Sequence, residues 1–259
     1  MAKPPGKCAF CGGTRLTKGH IWPESFSEIL PSNAKYHEQR IGVFETFKPT
    51  VPTPSKWERV GTGPLQKRRP RNTCVKCNTG WMSRIEANSF PTIRPLILGE
   101  PCLVDIISIS QFALAAILAL VAARIELIAR GPKPIPKSEF DHLRTKLHPS
   151  ANWRIWIAQH AGADLKDYLF RYTAMQIESQ PTTHFGPEYC NTQVTTLIAG
   201  QLYAHVFFST VWPDFPGYSL IQIWPPTYPY IDTGLLPAMS DRDGVMLHKT
   251  ISRLGKRAV

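Results

Sequence analysis

Two cysteine pairs, Cys8-Ala9-Phe10-Cys11 and Cys74-Val75-Lys76-Cys77, carry the clearest chemistry in this sequence. Each pair offers two thiolates from a tight turn, and two such knuckles together can complete one tetrahedral zinc site. His20 follows the first pair by nine positions, and Asn78 follows the second directly. A zinc held by Cys8, Cys11, Cys74 and Cys77 would bring these two polar side chains near each other. The pattern suggests a hydrolytic metal site built on a structural zinc. The alternative is that one pair is buried free thiol.

His20 stands in Thr17-Lys18-Gly19-His20-Ile21-Trp22-Pro23, where a stiff apolar segment restrains the imidazole. An imidazole with an ordinary pKa near 6.5 can take a proton from water at neutral pH. Phosphodiester cleavage needs such a base, together with a cation that offsets charge on the phosphate. The plainer readings are a fifth zinc-side residue or a packed core histidine. His142, His148, His160, His184, His205 and His248 show no ligand spacing.

Charge points the same way. Residues 1–100 hold 16 Lys and Arg against 7 Asp and Glu, whereas residues 101–259 hold 14 against 12. The net charge of +11 is therefore concentrated beside the cysteines. A basic surface attracts phosphate backbones through Coulomb attraction and counterion release. Lys67, Arg68, Arg69 and Arg71, with Lys76 and Arg84 nearby, are the candidate nucleic-acid contacts; a solvated charged loop is the alternative. Trp22 and Trp81 could stack on bases or form local core.

These motifs resemble the HNH endonuclease family. The resemblance rests on Cys-x-x-Cys-Gly at 8–12, the His20 segment, and Cys74-Val75-Lys76-Cys77-Asn78-Thr79-Gly80-Trp81-Met82-Ser83-Arg84-Ile85-Glu86. It covers roughly residues 7–90. It implies a ββα-metal core, in which two strands and a helix clasp one catalytic divalent cation, Mg²⁺ or Mn²⁺. It further implies His20 as general base and Asn78 as a ligand of the catalytic cation. Asn72 is the nearest match to the asparagine that orients the base, although it lies closer to its knuckle than is usual. The family places an acid before the base histidine, and here that residue is Gly19. Glu86, or else Glu24, is the candidate replacement ligand. The implied activity is hydrolysis of phosphodiester bonds, in DNA rather than RNA. The alternative is an inactive zinc-stabilised module that binds nucleic acid or another protein.

The elements that must position these residues follow from pattern. Two domains are expected, at 1–100 and 101–259, in an α+β chain. A metal-side helix is expected over 78–90, with Asn78 as N-cap and Pro91 and Pro95 as stops. Lys48–Ser55 is rich in Pro and reads as an extended loop. The apolar run from 106 to 123 is interrupted by Ser108, Ser110 and Gln111 and is slightly short for a bilayer. It reads as a buried helix over 108–130 rather than a membrane span. A short helix is expected at 137–147. Strands rich in β-branched and aromatic residues are expected at 153–157, 169–177, 194–199, 202–210 and 218–224. Gly200-Gln201 reads as a hairpin turn. The second half is thus a long helix packed on an antiparallel sheet, with a role in recognition, homodimerisation or regulation. The start Met1-Ala2-Lys3-Pro4-Pro5 has no apolar core behind its charge, which with the thiolate knuckles points to the reducing cytoplasm. The tail over 253–259 is basic.

Overall fold

The computed structural model describes residues 6–29, 36–40, 57–62, 69–129, 132–162, 169–177, 190–211 and 220–252. The expected loop over 48–55, Lys67 and Arg68 of the basic run, and the tail over 253–259 lie outside these residues. The chain is mixed helix and sheet, an α+β arrangement.

In the first half, β1 (Leu16–Thr17) pairs antiparallel with β4 (Thr73–Cys74), matching Leu16 to Cys74 and Thr17 to Thr73. A second ribbon pairs β2 (Tyr36–Arg40) with β3 (Trp57–Thr62). The short helix α1 (Val75–Cys77) leads through a kinked segment, Asn78–Met82, with Gly80 outside helical geometry, into α2 (Ser83–Leu98). Two short strands therefore precede a helix that starts at the second knuckle.

The helix does not end at its prolines. Pro91 and Pro95 lie inside α2, which stops only at Gly99, a left-handed C-cap with φ 74°. An interior proline costs roughly 3 kcal/mol through its lost hydrogen bond and ring clash. Burying one Ile or Leu side chain returns about 1.5–3 kcal/mol. Ile85, Ile93, Leu96 and Ile97 are all buried along one stripe of α2, which packs on α3. Four such side chains outweigh two prolines.

After β5 (Leu103–Asp105), α3 (Ser110–Ile128) runs through the centre of the protein. It has the length and hydropathy of a membrane span, and 83% of that window is buried inside the protein. A shorter helix, α4 (Lys137–Lys146), follows. The main sheet then orders β10 (Ile221–Trp224), β6 (Trp153–His160), β9 (Leu202–Ser209), β8 (Thr192–Ala199) and β7 (Leu169–Met175), all antiparallel. After β11 (Tyr230–Asp232), which pairs with β5, β12 (Ala238–Met239) adds parallel to the end of β6. Both faces of β8 and β9 are buried. The reason is a second covering helix, α5 (Asp241–Ser252), which packs on β7 and β8 while α3 packs on β6, β9 and β10.

Gly200 turns the β8–β9 hairpin with φ 57°. A Cβ there would meet the Ile97 carbonyl oxygen at 2.4 Å, so close approach as well as φ demands glycine. The next amide, of Gln201, donates to that carbonyl at 2.9 Å. The hairpin tip is thereby tied to the end of α2. One hydrophobic cluster runs without a break from Cys8, Phe10 and Trp22 through α2 and α3 to Ile155, Leu197 and Phe208.

Candidate functional site

The four knuckle cysteines converge as their spacing predicts. Their sulfur atoms all lie within 4.8 Å of one another, with Cys11 Sγ and Cys74 Sγ at 3.5 Å. Sulfurs about 2.3 Å from a zinc ion stand about 3.8 Å apart on a tetrahedron, so the quartet fits Zn²⁺. Backbone geometry builds the first knuckle: the Cys8 amide donates to Gly13 O at 2.7 Å, and the Gly12 amide donates to Cys8 O at 2.8 Å. In the second, the Cys77 amide donates to Cys74 Sγ at 3.4 Å. The Gly13 amide lowers the Cys11 thiol to about 7, whereas burial pushes the Cys77 thiol up. A bound zinc would hold all four as thiolates. Phe10 packs edge-on against Trp81 at 5.6 Å and also meets Phe140 of α4 at 5.1 Å. Trp22 and Trp81 are both buried core residues, so neither presents a face to a base.

Beside the quartet is a cavity of about 200 Å³ lined by His20, Pro23, Glu24, Asn78, Thr79, Ser83 and Glu86. His20 leaves the end of β1, and the Gly19 amide donates to Pro70 O at 3.2 Å, which ties this segment to the one entering β4. Asn78 is not an N-cap. Cys74 caps the helix instead, and Asn78 has helical φ and ψ. Two residues on, the chain kinks at Gly80 (φ −98°, ψ −108°), so α2 sets off in a new direction. Glu86 of α2 lines the same cavity as Asn78.

Burial and the Arg69 guanidinium hold His20 below the usual histidine range; Glu24 opposes them, with its Oε1 3.9 Å from His20 Nε2. His20 is therefore a neutral imidazole at pH 7. Arg69 also pairs with Glu24, at 2.9 Å. The carboxylate of Glu86 takes a 2.9 Å hydrogen bond from Arg124, a buried residue of α3 that the sequence reading misses. A Cβ at Gly19 would stand 3.3 Å from Asn78 Oδ1, so position 19 faces the residue that the cation ligand set would need.

Asn72 lies apart from the cavity lining: its Oδ1 accepts from the Thr73 hydroxyl at 3.2 Å, and its carbonyl accepts from the Ala9 amide at 2.9 Å. Arg71, Lys76 and Arg84 are exposed on the same half of the molecule. Comparison with protein-family models, with curated proteins and with solved structures finds no match.

Proposed function

We propose that this chain is a metal-dependent endonuclease of the HNH kind, hydrolysing phosphodiester bonds in DNA. The observation that carries the reading is the convergence of His20, Asn78 and Glu86 on one cavity beside four clustered cysteines. In sequence these residues are up to 66 positions apart.

His20 accepts the proton of the attacking water, and its neutral state suits it to that step. Asn78 Oδ1 and a carboxylate oxygen of Glu86 or Glu24 form a hard-oxygen donor set, of the type that Mg²⁺ or Mn²⁺ takes. A cation held there would supply stabilisation of charge on the scissile phosphate and the leaving oxygen. Thr79 and Ser83 add hydroxyl groups to the wall of the cavity. Arg69, Arg71, Lys76 and Arg84 supply the long-range attraction for a polyanion.

A second reading, a zinc-stabilised module that binds nucleic acid without cutting it, draws on two observations. Gly19 supplies no ligand, and Arg124 already offsets the charge of Glu86. Plasmid nicking with Mg²⁺ or Mn²⁺ separates the two. We predict that His20→Ala lowers the nicking rate by about 10²–10⁴-fold, the usual share of a general base, and leaves bound zinc unchanged. Equal nicking by both proteins removes His20 from the chemistry. DNA binding with no nicking by either supports the second reading.

A further inference from the structure

Arg124 is 3% exposed, in a stretch of α3 where Ala122, Ala123, Ile125 and the carboxylic acid Glu126 are buried as well. Its Nη1 donates to Ile21 O at 3.3 Å, and its Nη2 donates to Glu86 Oε1 at 2.9 Å and to Met82 Sδ at 3.5 Å. These acceptors belong to three different parts of the candidate site. Ile21 immediately follows His20, Met82 closes the kinked segment that Asn78 opens, and Glu86 belongs to α2.

A buried cation is expensive unless each of its donors is used, and an aliphatic side chain of similar volume would fill the same space at less cost. Packing alone therefore gives no reason for arginine here. Geometry does. The guanidinium is a rigid planar fork, so acceptors that share it are fixed relative to one another. A lysine would supply the charge without the fork.

We propose that Arg124 is a positioning residue of the candidate site, registering the His20 segment, the kinked segment that begins at Asn78 and the Glu86 carboxylate on one another. Its bearing on catalysis rests on the nuclease reading; its bearing on geometry does not. With Oε1 bound to Arg124, Glu86 presents a single remaining oxygen in a fixed direction. Glu86 then serves less as a source of charge than as an oriented acceptor. Through this side chain the second half of the chain reaches the site, so α3 is part of the site.

The test uses the full chain in four forms: wild type, Arg124→Lys, Glu86→Gln, and the double replacement Arg124→Met with Glu86→Gln, which removes both charges together. Zinc content and thermal melting report folding. Nitrogen-correlated NMR of the His20 ring and the Asn78 amide reports geometry, with His205 in the sheet as the internal control. Nicking in Mn²⁺ gives kcat and KM. In folded Arg124→Lys, the His20 and Asn78 signals move while His205 stays fixed. The kcat falls by about 10–100-fold with KM for DNA nearly unchanged, as expected when orientation rather than binding is lost. Unmoved His20 and Asn78 signals, or an unchanged kcat, in a folded variant overturn the proposal. If Arg124→Lys does not fold, the double replacement is read by the His20 and Asn78 signals against the Glu86→Gln single variant, since Glu86 is itself a candidate ligand: signals that match those of the single variant overturn the proposal; if neither folds, the role is structural and the proposal fails. A wild type that cuts nothing, with the signal shifts intact, overturns the nuclease reading and leaves the positioning role standing.

Discussion

A side chain added at Gly19 would begin 3.3 Å from Asn78 Oδ1 and 3.8 Å from the Thr73 hydroxyl. The Asn78 amide must give by a few tenths of an ångström to admit it, and the backbone does not adopt the left-handed region that would forbid it. We predict that Gly19→Asp raises the affinity for Mn²⁺ by about tenfold or more, because it adds a hard anionic oxygen beside Asn78. Calorimetric titration checks this, and an unchanged affinity would show that position 19 does not serve the cation site. The pH dependence of His20 has a definite sign. Its pKa is depressed by burial and by Arg69, and in the proposed mechanism the base form is the working one. Nicking is therefore expected to hold as pH falls from 7.5 to about 6.5, the ordinary histidine value, and to decline only below it. A decline beginning above pH 7 would contradict this. At this scale the meeting of His20, Asn78 and Glu86 in one cavity was legible because their spacing from the knuckles is local. Arg124 was not: 38 positions separate it from Glu86, and a single arginine in an apolar helix carries no periodic signal.

Among the elements, the hairpin at Gly200 and the strands around it were legible from β-branched and aromatic runs and from turn chemistry. The end of α2 was not, since proline is a local signal and the burial that overrides it is tertiary. Pro91 is exposed, so its ring adds no core packing to offset its missing amide. We predict that Pro91→Ala stabilises the chain by about 1–3 kcal/mol and raises the thermal midpoint, because it restores a backbone donor within a helix that already exists. A lowered midpoint would mean that the helix relies on the local geometry that proline imposes. The sequence reading assigned nothing to α5, although a signal was present. Ser240 and Asp243 form a reciprocal capping box, with the Ser240 amide donating to Asp243 Oδ2 at 3.1 Å and the Asp243 amide donating to Ser240 Oγ at 3.2 Å. That missed helix explains why β8 and β9 are buried on both faces instead of alternating.

Across the whole molecule, Cys8, Cys74 and Cys77 of the quartet share one hydrophobic cluster with the sheet. Structural zinc contributes roughly 10–16 kcal/mol in small zinc-finger peptides, as much as the entire net stability of an ordinary domain. We predict that stripping zinc with a chelator abolishes the near-ultraviolet dichroism of buried Trp22 and Trp81 and disturbs that of Trp153 in the sheet. Preservation of all three signals in metal-free protein would show that the quartet is not structural. The α+β class was legible from composition and pattern. What composition could not show is the contact between halves, because it depends on Phe10 meeting Phe140, on Gly200 meeting Ile97 and on Arg124 reaching Glu86.

The tie between Gly200 and the Ile97 carbonyl bears on how this protein can be taken apart. A fragment cut at residue 100 keeps the four knuckle cysteines and, in the cavity, His20, Asn78 and Glu86. It also bares the apolar stripe of α2, leaves Glu86 without its cation, and frees a carbonyl that the hairpin had capped. Such a fragment would aggregate and could not be transplanted. Any exchange of the half that holds the cysteine quartet would have to carry α3 and the hairpin tip with it. The boundary of inheritance then lies beyond residue 202, far from where the motifs end.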